Sequence, residues 1–216
     1  MLLDVRPIPL LVTVVAQGGL LVAVEIGFRR GLGPETTRRI AHAVGAASVA
    51  ILPLFLQLSE LVVLAVFFTA VLAWTRVRNT LGSVHAIDRV SAGALVFPAG
   101  LLLAVLVGWH HPGAIAYAAL LLALADPIAA VAGSRLGGVG WAVVGGRKTL
   151  AGSLAFALVA VAIGVLMGIG AGDFRLVAAL AAAVVLTVIE GSIGYGLDNL
   201  PVPAVASLLG IVWLGL

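Results

Sequence analysis

The sequence predicts an all-α fold, a polytopic transmembrane helical bundle of about 7–8 spans with broken helices at the cytoplasmic side. Its 216 residues are 62% hydrophobic and 10% charged, with a mean hydropathy of +1.25. The apolar runs approach the roughly 20 residues that a helix needs to cross a bilayer. Short polar breaks between them hold most of the ionisable groups, an arrangement that excludes an ordinary soluble core.

The elements are expected in this order. Ile8–Phe28 is too long for a signal-peptide core and is followed by similar runs, so it reads as a retained helix. Ile40–Leu56 comes next, then Glu60–Arg76, where Ser59 and Glu60 stand at a helix start that Glu60 caps. Ala92–Trp109 contains Phe97-Pro98, and a proline there is expected to kink the helix. Ala114–Ala132 contains Asp126-Pro127 near its end. Leu150–Ile169 carries Gly164-x-x-x-Gly168, a spacing that lets helix backbones approach closely. Arg175–Glu190 and a short helix from about Val202 to Leu216 complete the chain, the last barely long enough to span. Trp74, Trp109, Trp141 and Trp213 fall near predicted ends, as an aromatic belt places them. With no internal repeat and no polar linker, residues 1–216 read as one integral membrane domain.

Ten of the twelve Lys and Arg residues fall in the loops after the first, third and fifth helices, leaving Arg6 and Arg175 opposite. The positive-inside rule then puts those loops in the cytoplasm, in the cell membrane if the source is prokaryotic. The same distribution accounts for the basic pI without nucleic acid. Absence of cysteine excludes a disulfide, a thiolate nucleophile and a Cys-based metal site. Asp173, His110 and His111 fall on the outer side and read as solvated.

Five polar stretches converge on the basic side. Glu35, Arg38, Arg39 and His42 follow i, i+3, i+4, i+7 spacing and share a helix face, whereas Arg29 and Arg30 read as topology anchors. The loop from His85 to Gly93 brings Arg89 and Ser91, placed to hold an anion. Asp126 lies in an apolar run, where an ionised side chain costs about 2.5–3.5 kcal/mol, so it must be paired, protonated or metal-bound. Pro127 after it predicts broken helix, and Gly133 and Gly137 leave room for phosphate to approach backbone N–H groups. Gly145 to Thr149 looks like a P-loop, but that pattern needs glycine where Ala142 and Arg147 stand. What it leaves is Arg147, Lys148 and Thr149 before Gly152-Ser153 at a helix start, where the dipole and unpaired N–H groups favour an anion. Glu190, Asp198 and Asn199 return oxygen donors to the same face. With Asp126 they form a ligand set for Mg²⁺, which takes a few carboxylates together with substrate phosphates and water.

In this order the motifs resemble the CTP-dependent lipid-alcohol kinases, the family of phytol kinase and dolichol kinase, related to phosphatidate cytidylyltransferases. The resemblance runs from Glu35 to Pro203. It rests on Glu35…Arg38-Arg39…His42, Arg89-x-Ser91-x-Gly93 with Phe97-Pro98, Ala125-Asp126-Pro127 with Gly133 and Gly137, Lys148-Thr149…Gly152-Ser153, and Glu190…Asp198-Asn199…Pro201. Many members have lysine at the position of Arg39. The dolichol-kinase-like pattern has glutamate where Ala151 stands, which brings this chain closer to the phytol kinase branch.

The resemblance implies transfer of the terminal phosphoryl group of CTP to the hydroxyl of a membrane lipid alcohol, with Mg²⁺ as cofactor. Asp126, Glu190, Asp198 and Asn199 would hold the metal, and Arg38, Arg39, Arg89, Ser91, Arg147, Lys148, Thr149 and the glycines the phosphates. Asp126 is the first choice of base, with His42 as the alternative. Two other readings are open at this point: CMP transfer of the phosphatidate cytidylyltransferase type, and a small membrane transporter.

Overall fold

The computed structural model describes residues 5–86, 91–173 and 175–216. The chain folds as a helical bundle. Its helices are α1 (Pro7–Arg29), α2 (Pro34–Val49), α3 (Leu58–Val77), the single turn α4 (Gly82–His85), α5 (Gly93–Gly108), α6 (Pro112–Leu120), α7 (Asp126–Leu136), α8 (Leu150–Gly170), α9 (Leu176–Ser192) and α10 (Pro201–Leu209). A π-helical turn, Leu121–Ala125, joins α6 to α7, and a second one, Gly210–Leu214, extends α10. Proline opens α1, α2, α6 and α10, where its missing N–H would be unpaired in any case.

Five helical segments are long and apolar enough to cross a membrane: Pro7–Arg29, Leu58–Val77, Pro112–Leu136, Leu150–Gly170 and Leu197–Leu214. Gly93–Gly108 and Leu176–Ser192 are apolar but shorter. The second predicted span differs from expectation. Its helix runs from Pro34 to Val49 where Ile40–Leu56 was expected, and Glu35, Arg38 and Arg39 lie on it with His42, as their spacing predicts.

At neither internal proline does the helix end: Pro98 lies inside α5, and before Asp126-Pro127 the α-helical pattern gives way to the π turn, with helix on both sides. The helical bundle carries one small addition. Residues after α7 form an antiparallel hairpin, β1 (Gly140–Val143) with β2 (Gly146–Thr149), in a register that pairs Trp141 with Lys148. Gly145 turns the hairpin at φ +77°, a left-handed conformation that glycine adopts without a Cβ clash.

The core lies between α5, α6, α8, α9 and α10, around Tyr117, Leu121, Leu122, Phe156 and Leu186. Small residues set the close approaches. A methyl group at Gly100 would lie 1.8 Å from the Asn199 carbonyl oxygen, and one at Gly108 2.5 Å from Ser207 Oγ, so α5 runs against α10 and the turn before it. In the outer helix α1 only Thr13 and Val24 are buried.

Candidate active site

Proline chemistry positions the first acid. In the π turn the Asp126 N–H bonds the Leu121 carbonyl, so the next carbonyl, that of Leu122, would look to residue 127. That residue is proline and has no N–H. The ring of His42, from α2, meets the Leu122 carbonyl instead, and it packs on Phe97 of α5 with centroids 4.3 Å apart. His42 Nε2 is buried without a hydrogen bond among the described residues and lies 3.5 Å from Asp126 Oδ2, so this nitrogen faces the carboxylate.

Three carboxylates converge beside it. Asp126 opens α7, Glu190 lies near the end of α9, and Asp198 sits on the short 3-10 turn Leu197–Asn199. One oxygen from each lies within 4.8 Å of the others. Lys148 Nζ, from β2, donates to Glu190 Oε1 and, at 2.8 Å, to Asp198 Oδ2. Burial by itself would lower the Lys148 pKa, but the facing Asp198 and Glu190 carboxylates outweigh it and hold the ammonium above the ordinary lysine range. Glu190 Oε2 stays buried with no hydrogen bond among the described residues. All donors here are hard oxygens and one of them is unmet, so the set fits Mg²⁺.

The turn that carries Asp198 is held by backbone bonds. Asn199 Nδ2 donates to the Gly93 carbonyl at 3.3 Å, and the Asn199 N–H to Asp198 Oδ1 at 3.2 Å. Ser91 Oγ accepts from the Gly93 N–H at 3.1 Å and donates to the Tyr195 carbonyl at 3.3 Å. The amide of Asn199 and the hydroxyl of Ser91, expected at metal and phosphate, thus make bonds that join α5 to the last loop.

The remaining predicted residues divide. Arg38 and Arg39 pair with Glu35 at 3.2 and 3.7 Å, and each has a buried Nε without a hydrogen bond. Thr149 caps α8, accepting from the Gly152 N–H at 3.2 Å. Gly133 packs on that cap, since a methyl there would lie 2.7 Å from Thr149 Oγ1. Ser153 Oγ is buried and unbonded in the first turn of α8. Gly137 ends α7 at φ +59°. Arg147 lies exposed and donates to the Gly138 carbonyl at 2.9 Å. Arg89 lies outside the described residues.

Sequence reasoning missed the hairpin and Trp141. Its indole N–H donates to the Gly191 carbonyl at 2.7 Å, beside Glu190, so this tryptophan docks the strand of Lys148's partner against α9 in place of the membrane-belt role expected for it. The Trp-Ala-Val-Val run followed by Gly145-Gly146 was the available signal, β-branched residues ahead of a glycine turn.

No family model and no solved structure matches the chain. It is similar to the phytol kinase of Synechocystis sp., 29% identical over 210 residues that cover 92% of this chain and 90% of that protein. The motif order from Glu35 to Pro203 and the carboxylate cluster built from those motifs agree with that similarity.

Proposed function

We propose that this protein transfers the terminal phosphoryl group of CTP to the hydroxyl of a membrane lipid alcohol, phytol-like in preference to dolichol-like, at the cytoplasmic face of the membrane. The observation that carries the reading is the grouping of Asp126, Glu190 and Asp198 around Lys148, with an unmet Glu190 oxygen. Phosphoryl transfer requires positioning and charge neutralisation more than covalent help from the protein.

Mg²⁺, held by Asp126, Glu190 and Asp198, supplies charge neutralisation on the phosphates when bound. Lys148 contributes the fixed positive charge next to that position, and the Arg38 and Arg39 guanidiniums, with Arg89, draw in the triphosphate. The opening turn of α8 adds its dipole and the Ser153 hydroxyl, buried and unbonded among the described residues. The acceptor hydroxyl is placed beside Asp126 Oδ2, which takes its proton; His42 Nε2, 3.5 Å from that oxygen, is the alternative acceptor. The topology that goes with this reading counts α2, α5 and α9 as spans beside the five longer segments and gathers the basic loops in the cytoplasm.

The test uses purified protein in detergent with Mg²⁺, a panel of lipid alcohols and phosphatidate, and CTP labelled at either the γ- or the α-phosphate. γ-Label in the lipid is the expected outcome. α-Label would replace the kinase with a cytidylyltransferase, and label in neither across the panel would remove both.

A further inference from the structure

Beside the carboxylate cluster a second feature remains unused, a long apolar groove between α1, α2, α3 and α5. Its walls run from Arg38 to Val49 on α2, Leu61 to Leu72 on α3 and Ala94 to Val105 on α5. Each stretch covers about eleven residue steps, roughly 16 Å of helix. That is the depth of one leaflet, half of a hydrocarbon core about 30 Å thick.

We infer that this groove holds the tail of the acceptor alcohol and that its length and bore select a single chain about one leaflet deep. The inference rests on the kinase reading and names the acceptor subsite for it. Three observations carry it. The groove ends at Arg38 and His42, and His42 Nε2 is the buried, unbonded atom that faces Asp126, so a chain lying in the groove puts its head group at the carboxylates. The volume of the groove is about 150 Å³, spread thinly over that length, which suits one chain better than two. Finally, the wall makes no polar demand along the way: Gln17 Nε2 donates to Ser48 Oγ and Ser48 to the Gly45 carbonyl, each at 2.7 Å.

An extended carbon chain advances about 1.25 Å per bond, so the groove takes about thirteen main-chain carbons below the hydroxyl. Two-chain glycerolipids exceed its bore and very long polyprenols its length. Ala65, on the α3 wall, lies midway along it.

The experiment gives the reconstituted protein γ-labelled CTP and primary alcohols of increasing main-chain length, with diacylglycerol for comparison. kcat/KM is expected to rise with length to about thirteen carbons and then to fall. Ala65→Phe is expected to lower the ratio of long-chain to short-chain kcat/KM by about tenfold or more, and an unchanged length profile in that variant overturns the assignment. A diazirine-tailed alcohol, photolysed in the wild-type protein and mapped by mass spectrometry, provides a readout independent of turnover. Label concentrated on Leu64, Phe68 and Leu101 supports the groove, and label spread over the lipid-facing surfaces of α1 and α8 overturns it. Groove labelling with no transfer to any alcohol leaves the groove assignment standing and overturns the kinase reading alone.

Discussion

Glu60 and Glu190 are both buried carboxylates that face a cation, at opposite ends of the bundle, and they differ in how far their oxygens are satisfied. Glu60, with a side chain 0% exposed, accepts four hydrogen bonds. Oε1 takes the Arg6 N–H and Nε at 2.6 and 3.1 Å, and Oε2 takes Arg6 Nη2 and the Gln57 N–H at 2.9 and 2.7 Å. This is the capping role expected for Glu60, extended by Arg6 into a clamp between α1 and α3. Glu190, 8% exposed, has one oxygen on Lys148 and the other on nothing among the described residues. Its neighbour Asp126 faces a histidine nitrogen at 3.5 Å, beyond a good hydrogen bond. Burying an ionic group with every lone pair met makes a fastener, whereas burying several with lone pairs left over makes a receptor for something that brings positive charge or protons.

The sharpest test of that contrast is Asp126→Asn. It keeps shape and removes the anion, so phosphoryl transfer is expected to fall by about 10²–10⁴ while the thermal midpoint stays near wild type. Near-normal turnover would take Asp126 out of the site. Lys148→Met should act on stability: Glu190 and Asp198 lose their cation, at a cost of about 3–5 kcal/mol, read by thermal unfolding in detergent. A variant as stable as wild type would mean that the cluster is not held together by this lysine.

A smaller effect separates the two ends by ligand. Mg²⁺ at a hundred times its Kd should stabilise the wild-type protein by about 2.7 kcal/mol and leave Asp198→Asn unshifted; equal stabilisation of both would place the cation elsewhere. The smallest effect belongs to the closed site. Glu60→Gln is expected to lose about 1–3 kcal/mol of stability with turnover per folded molecule unchanged, and a folded but inactive Glu60→Gln would end the distinction between fastener and receptor.

The members of the open site could be read from the sequence because a membrane chain permits few arrangements. Apolar runs alternate between the two faces, so Arg38, Asp126, Lys148, Glu190 and Asp198, each beside a break on the basic side, return to one end. Periodicity placed Arg38 and His42 on one helical face, and both line the groove. What the sequence hid depends on contacts between distant segments. Ser91 Oγ and Asn199 Nδ2 also join α5 to the last loop through backbone groups of Tyr195 and Gly93, which nothing in their local sequence announces. Trp141 lies near a helix end like the other tryptophans, and only the docking of the hairpin on Gly191 gives it a different partner. At Pro127 the irregularity takes the form of a π turn rather than a chain break, because a helix tolerates the loss of one hydrogen bond when a neighbouring group or a wider turn accommodates the freed carbonyl.

The π turn at Leu121–Ala125 has a consequence for the phase of the helix it interrupts. Every residue of α-helix advances the chain by about 100° around its axis, and the wide turn sets the angle at which α7 leaves α6. Winding the same residues as regular α-helix would rotate the two halves by about that angle relative to each other. Either Asp126 would swing away from Glu190 and Asp198, or the core face of α6 would turn out of the bundle. The position of the acid is therefore stored as an angular offset in the backbone, and a conventional helix through the same residues would be more regular and without its site.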